Sequence, residues 1–188
     1  MENKVAIVIP VYCRNQIQWD FLNRTIQSIN SLKHKLVFIP VENHLDQVFR
    51  YQNYPGLKGG IEKYPITGRQ PQSVAKAWNN GIREAQKMGC EWIFVLNQDI
   101  ILRSSAIDNL ITFAQSTSSD VVMWTMAQYN SIVTLETVAL NCKAHEHPHF
   151  SAYMVKPDFL DVMGNFDENF QPAYMEDNDM HARIALSN

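Results

Sequence analysis

Two sets of polar residues in this 188-residue sequence stand where chemistry can be done. One is Asn97-Gln98-Asp99, a polar triplet ending in a carboxylate at the tip of the apolar run Glu91 to Leu96, after which Ile100-Ile101-Leu102 turn apolar again. The other is Glu176-Asp177, with Asp179 and His181 close behind, in YMEDNDMHARI. A carboxylate at a strand tip can hold a hard divalent cation such as Mg²⁺ or Mn²⁺, which takes oxygen ligands and bridges to substrate phosphates. Asn and Asp are also ordinary turn residues, so the triplet has a simple turn as its other reading. The second set is equally divided. Acidic residues in a first helical turn favour the macrodipole, and Asp179 can pair with Arg183 at i, i+4. A carboxylate there could also serve as a general base. Asp177 and His181 share a helical face, so His181 is a base-orienting group, a metal ligand or, more simply, a solvated side chain.

The elements that must position these residues follow from hydrophobic patterning. VAIVIP (Val5 to Pro10), KLVFIPV (Lys35 to Val41) and EWIFVL are continuous apolar runs rich in β-branched residues, as suits strands buried on both faces of a parallel sheet. DVVMWTM (Asp120 to Met126) is a further strand. Helical patterns lie between them. Leu22, Thr25, Ile26, Ile29 and Leu32 share one face of a helix over roughly Trp19 to Lys33. Val74, Trp78, Gly81, Ile82, Ala85 and Met88 share a face of another, with Gly89 as its stop. A third runs from Ser104 to about Gln115, with Ser104 or Ser105 as N-cap and Ile107, Leu110, Ile111 and Ala114 inward. Alternating strands and helices predict an α/β fold with a mostly parallel sheet. Gln128 to His149 is less regular, and SIVTLETVAL is a candidate for a mixed or antiparallel strand.

In an open parallel sheet, ligands bind outside the carboxyl ends of the strands. The first strand ends in PVYCRN, the second in ENHLD and the third in Asn97-Gln98-Asp99. Parallel pairing would therefore gather Tyr12, Arg14, Glu42 and Asp99 on one rim. An aromatic can stack on a base, Arg can contact phosphate, and carboxylates can take ribose or base donors or a metal.

Composition limits the alternatives. Lys and Arg number 16 against 19 Asp and Glu, for a net charge of −3, and no basic run appears, which argues against nucleic acid as partner. Apolar runs are too short for the roughly 20 residues a membrane span needs, and MENKVAIVIPVY lacks a signal-peptide layout. Cys13, Cys90 and Cys142 form neither a CxxC nor a disulfide framework, so a reducing, cytoplasmic setting is expected. His145, His147 and His149 in HEHPHF alternate, but Pro148 interrupts strand pairing and a polar loop is the better reading than a zinc site. YPGLKGG (Tyr54 to Gly60) has neither P-loop nor GxGxxG spacing and reads as a mobile surface loop. Trp78, Trp92 and Trp124 read as core, whereas Trp19 is a candidate sugar-site residue. Asn79 and Asn80 are either caps or polar helix positions near a donor.

Four segments together resemble a family 2 glycosyltransferase of the GT-A fold. VAIVIPVYCRN resembles the family's opening Pro-Val-Tyr-Asn loop, with Cys13 in place of that Asn. SVAKAWNNGIREAQKMGCEWIFVLNQD resembles the helix and strand leading to the metal-binding DXD triplet. FSAYMVKPDFLDVMGNFDENF is similar to the family's Gly-x-Phe-Asp-Glu-x-Phe segment, met here by Gly164, Phe166, Asp167, Glu168 and Phe170. YMEDNDMHARI looks like the Glu-Asp motif that carries the catalytic base. The resemblance implies one GT-A-like domain over residues 1–188, either the catalytic part of a longer chain or a compact enzyme whose acceptor site comes from another chain.

It further implies a metal-dependent, inverting transfer of a sugar, such as a hexosyl group, from a UDP-, GDP- or dTDP-sugar to a hydroxyl of a glycan, lipid-linked or protein-linked acceptor. By position, Asp99 would bind Mn²⁺ or Mg²⁺ on the diphosphate, and Asn97 stands where the first DXD carboxylate usually is. Glu42 would hold the base, with Pro10, Tyr12, Arg14 and Gln98 in the same nucleotide pocket. Arg69 and Lys76 would contact donor phosphates. Asp177, next to Glu176, would be the catalytic base. Two other functions stay open. A sugar-nucleotide-binding domain without transfer activity is one, and the Asn97 and Cys13 departures give it some weight. A sugar-phosphate nucleotidyltransferase would need a Gly-rich loop after the first strand, and PVYCRNQIQWD has no glycine.

Overall fold

A computed structural model describes residues 4–45, 49, 53–67, 72–117, 123–125 and 150–187. Its centre is β1 (Lys4–Cys13), in which Val5 to Ile9 are fully buried. Such a run can only be stable with apolar cover on both sides, and the two cores show how that is met. Val5, Ile7, Ile9 and Val11 face one core with Leu22 and Ile26 of α1 (Gln16–Ser28) and Ile107 and Ile111 of α3 (Ala106–Gln115). Ala6 and Val8 face the other with Trp78 and Ile82 of α2 (Val74–Lys87), Phe159 and Leu160 of α4 (Phe159–Met163) and Met180 of α5 (Glu176–Leu186). The period of two along the strand sorts its side chains between the layers.

Among the described residues the sheet has seven strands. β1 pairs in parallel with β2 (Lys35–Leu45) and β5 (Trp92–Leu96), and β2 pairs in parallel with the short β3 (Glu62–Lys63) and β4 (Ile66–Thr67). β7 (Ala152–Val155) runs antiparallel to both β5 and β6 (Met123–Thr125). The expected α/β sheet with helices on both faces is present, and its antiparallel part comes from β7. The strand expected over Asp120 to Met126 is seen as Met123–Thr125. SIVTLETVAL, Cys142, Pro148 and the three histidines of HEHPHF lie outside the described residues. No described helix is long and apolar enough to cross a membrane.

Two helix boundaries differ from expectation for local reasons. α1 begins at Gln16 because the Asn15 side chain caps it, its Oδ1 accepting from Gln18 N at 3.0 Å. It ends at Ser28, where the Ser28 hydroxyl donates to Thr25 O and the Asn30 amide to Ser28 O, side-chain bonds that compete with helical ones. Leu32 thus falls beyond the helix and is 89% exposed rather than core. At α3, Ser105 occupies the N-cap position but makes no side-chain capping bond. Trp92 and Trp124 are core, packed edge to face with centroids 5.5 Å apart. α2 matches its predicted face and stops at Gly89, where Gly89 N donates to Gln86 O and Cys90 N to Ala85 O.

Gly81 explains how α2 lies so close to the sheet. A Cβ there would sit 2.2 Å from Val8 Cγ1 and 3.2 Å from Val41 Cγ2, so helix and strands meet across a bare backbone. Gly81→Ala should therefore lower stability by about 1–3 kcal/mol, the usual cost of overpacking a core. Urea denaturation with an unchanged m-value checks this.

Candidate functional site

Parallel pairing brings three strand ends to one edge of the sheet. Val11 of β1 stands opposite Glu42 of β2, and the register slips between Val11 and Tyr12. Such irregularities re-aim side chains. After it, Tyr12 is 38% exposed, with the Arg14 guanidinium over its ring at 5.8 Å. Arg14 is exposed, and its backbone N–H donates to Gln18 Oε1 at 2.8 Å. Pro10, half-buried, lies two residues back on the same strand.

The polar triplet after β5 is bound tightly into this edge through its middle residue. Gln98 Oε1 accepts from Tyr12 N at 2.7 Å, and Gln98 Nε2 donates to Tyr12 O at 2.9 Å. The carbonyl of Gln98 accepts from the buried Thr25 hydroxyl at 2.8 Å. Gln98 thus closes the ladder between β1 and β5 where backbone pairing has stopped, and its amide is committed to Tyr12. Asn97 N donates to Ser151 O at 2.8 Å, tying the triplet to the entry of β7. Asp99 then projects from this braced turn as an exposed carboxylate with no hydrogen bond or ion pair among the described residues. Cys13 is buried beneath, and burial pushes its thiol up to about 12, so it stands as a neutral packing group.

Glu42 is 5% exposed, and Tyr54 OH donates to its Oε1 at 3.1 Å. Tyr54 belongs to YPGLKGG, so the surface-loop reading is corrected there. Tyr54 is 4% exposed, and a Cβ on the buried Gly56 would lie 2.8 Å from Asn23 O. An aromatic outside any periodic pattern gave no local signal of this. Trp19 is likewise core and not a sugar-site residue, being 1% exposed and stacked on Phe49 at 5.3 Å between centroids.

The start of α2 is fixed to the same edge. Asn43, next to Glu42, donates through Nδ2 to Gln72 O at 2.5 Å and accepts from Gln72 N. Ser73 caps the helix by accepting from Lys76 N at 3.2 Å, and the Lys76 side chain is exposed in that first turn. Arg69 lies outside the described residues. Of the two asparagines in α2, Asn80 bonds Gln72 Oε1 at 3.3 Å. Asn79 is 2% exposed and holds the segment before α5. Its Nδ2 donates to Phe166 O at 2.9 Å and Glu168 Oε1 at 3.0 Å, while its Oδ1 accepts from Phe166 N at 2.9 Å. It is a structural bracket between helix and loop.

Glu176 and Asp177 occupy the first turn of α5, entered through Tyr174 and Met175 at φ 83° and 76°. Left-handed backbone at two successive non-glycine residues is strained and persists only where its surroundings enforce it. The two acids differ. Asp177 is half-buried, and its Oδ1 accepts from Asn178 N at 2.8 Å. Glu176 is 5% exposed, and its Oε2 has no hydrogen-bond partner among the described residues. Burial raises its carboxyl above the ordinary range, and the nearby Asp177 adds to the shift. The Tyr153 hydroxyl, fully buried, is raised well above its usual value by burial, with Glu176 contributing. Asp179 does pair with Arg183, Nη2 to Oδ2 at 2.6 Å, and Arg183 Nη1 also donates to Met163 O at 2.7 Å, tying α5 to α4. His181 is half-buried.

No protein-family model matches the chain, and no curated protein does. Solved structures do. TarS residues 1–349 of S. aureus, also solved with UDP, superposes with a TM-score of 0.61 at 16% identity, over 96% of this chain and 54% of its own. The Pyrobaculum calidifontis mannosyltransferase PcManGT, in complex with GDP-Man and Mn²⁺, gives 0.64 at 10% identity, over 100% and 53%. A cytidylyltransferase from Leptospira borgpetersenii gives 0.52 at 10%, over 95% and 73%. The chain thus shares the GT-A-like α/β fold of these structures, and it spans about half the length of TarS 1–349 and PcManGT.

Two outcomes follow from these contacts. Gln98→Glu keeps the acceptor for Tyr12 N–H and loses the donor to Tyr12 O. It should cost about 0.5–1.5 kcal/mol, as one net hydrogen bond does, measured by chemical denaturation. For Glu176, the folded protein holds the carboxyl proton more tightly than the unfolded chain does. Stability therefore falls as pH rises from the ordinary glutamate value through the raised one. Glu176→Gln should be more stable than wild type at neutral pH and lose that advantage near about pH 4, as thermal melts across pH will read.

Proposed function

We propose that this domain transfers a sugar from a nucleoside-diphosphate-sugar to an acceptor hydroxyl, with inversion, in the manner of a family 2 glycosyltransferase. The observation that carries this reading is the convergence of Tyr12, Arg14, Glu42 and Asp99 at the carboxyl edge of a GT-A-like sheet. Glu42, oriented by Tyr54, presents a buried carboxylate to the donors of a base or ribose. Tyr12 and Arg14 offer an aromatic face and a cation to the nucleotide, and Lys76 and Arg69 are further candidates for its phosphates. Pro10 and Asn97 are further candidates for the same nucleotide site, and Gln98 holds Tyr12 in place.

The residues fit a metal of one particular kind. Among the described residues no cluster of three or more His, Cys, Asp or Glu could hold an ion. The described residues thus offer no dedicated protein cage, whereas the Asp99 carboxylate would suit Mn²⁺ or Mg²⁺ on a diphosphate, with Asn97 as the other oxygen ligand of the same turn. When bound, such a cation neutralises charge on the leaving diphosphate. The chain's own groups do the rest. Asp177, more accessible than its neighbour Glu176, takes the proton of the acceptor hydroxyl. That oxygen bonds to the anomeric carbon as the bond to the diphosphate breaks, with the electron pair leaving on phosphate. Glu176 is buried alongside, close enough for the charge of Asp177 to act on it.

The related reading as a nucleotidyltransferase has the likeness to the cytidylyltransferase in its favour, but the glycine-free loop after β1 lacks the phosphate cradle that chemistry uses. Donor hydrolysis and binding with UDP-, GDP- and dTDP-sugars, with Mn²⁺ and with EDTA, test the proposal. One nucleotide class should bind in a metal-dependent way and lose at least tenfold affinity in Asp99→Ala. Asp177→Asn should keep that binding and lose about 10²–10⁴-fold in turnover, the usual worth of a general base. Binding to none of the donors, with or without metal, sinks the transferase reading.

A further inference from the structure

A cavity lies at the opposite end of the sheet from the rim. It measures about 250 Å³ and sits where α1 has ended and β2 begins, under the loop that carries Lys58, Gly59 and Gly60. From Lys35 to Glu42 along β2 is seven residues, or roughly 23 Å at about 3.3 Å per residue. A nucleotide on the rim therefore does not reach it.

The lining carries basic side chains on several sides. Lys35 comes from β2, Lys58 from the overlying loop and His34 from the turn before β2. The Lys58 ammonium donates to Ile29 O at 3.1 Å, and the Lys35 ammonium pairs with Glu62 at 2.9 Å. The Lys58 ammonium has three donors, so its contact fixes the amine while leaving donors over. His34 Nδ1 is buried and has no hydrogen-bond partner among the described residues. A buried polar atom left in this way calls for a partner that the protein itself does not supply. Asp108, an acid close enough to feel His34, has its carboxylate taken by the Ser31 hydroxyl and by Leu32 N at 2.9 Å. At Gly59 and Gly60 a Cβ would meet nothing within 4 Å, so no side chain screens the loop backbone from a ligand.

We propose that this cavity binds a phosphate group, free or carried on a small sugar phosphate, between His34 and Lys58, with the positive charge of Lys35 beside them. A tetrahedral oxyanion can take a hydrogen bond from both His34 and Lys58 at once, which supplies the missing partner of His34 and bridges the loop to the turn before β2. The volume, slightly below the usual range for drug-sized ligands, suits a ligand of that size and not a nucleotide. The site stands apart from the proposed transferase site, so failure of either leaves the other untouched.

The test is a titration of the full chain with inorganic phosphate and, separately, with glucose 1-phosphate, at constant ionic strength held with chloride. Isothermal calorimetry and amide chemical shifts around residues 29–36 and 58–61 are the readouts. Saturable binding is expected, weakened at least tenfold in Lys58→Ala and in His34→Gln, and unchanged in Lys87→Ala, whose lysine lies on the exposed face of α2. Circular dichroism controls for folding, and the exposed Lys58 makes its substitution a mild one. Tighter binding of glucose 1-phosphate identifies an organic phosphate as the ligand class, and equal affinity identifies the phosphate group itself. A response that does not saturate with either ligand, that chloride reproduces, or that survives both substitutions overturns the proposal.

Discussion

Everything on the rim depends on β1 being paired in parallel with a strand on each side. Parallel neighbours end at the same edge, so whatever residue follows each apolar run is delivered to one place. β2 brings Glu42 and Asn43, β5 brings the polar triplet, and β1 itself brings Tyr12 and Arg14. An antiparallel partner in either position would have sent one of these groups to the far end of the sheet. The bare backbone of Gly81 belongs to the same constraint, because it lets α2 press on Val8 and so sets where the helix start, with Lys76, meets the edge.

Where the backbone ladder stops, side chains continue it. Gln98 bonds both polar groups of Tyr12, and Asn43 does the same work for Gln72, an amide in each case matching a peptide's donor and acceptor. Asn79 repeats the device at Phe166, beneath the loop that leads to α5. These amides spend their hydrogen bonds on the protein and leave neighbouring groups free to meet a ligand: Asp99 beside Gln98, and Asp177 beyond the segment that Asn79 holds. A buried amide with both ends satisfied is rigid, and rigid support is what an exposed carboxylate needs if it is to stay in one orientation.

Burial separates the adjacent acids Glu176 and Asp177 in the same spirit. Glu176 lies against the aromatic core beside Tyr153, at a cost in desolvation, while Asp177 remains within reach of solvent. The left-handed backbone at Tyr174 and Met175 turns the chain so that adjacent residues face such different surroundings. A site that carries this much strain and desolvation is held by the rest of the fold, through Arg183 to α4 and through Asn79 to α2.

The sequence by itself determined the layered α/β plan, because fully apolar strands and amphipathic helices have few ways to bury their surfaces. It also placed Tyr12, Arg14, Glu42 and Asp99 at strand ends, since the change from apolar to polar is local. Helix ends were less legible: Asn15 and Ser28 act through side-chain bonds to nearby backbone that apolar spacing does not register. What only the tertiary structure decided are contacts between residues far apart in the chain. Tyr54 on Glu42, Gln98 on Tyr12 and Asn79 on Phe166 join separations of 12, 86 and 87 residues. The burial of Trp19 and Glu176 is of the same kind. Periodicity reports which face of an element is apolar, but which particular neighbour covers a side chain is set by packing between elements, and no local pattern encodes it.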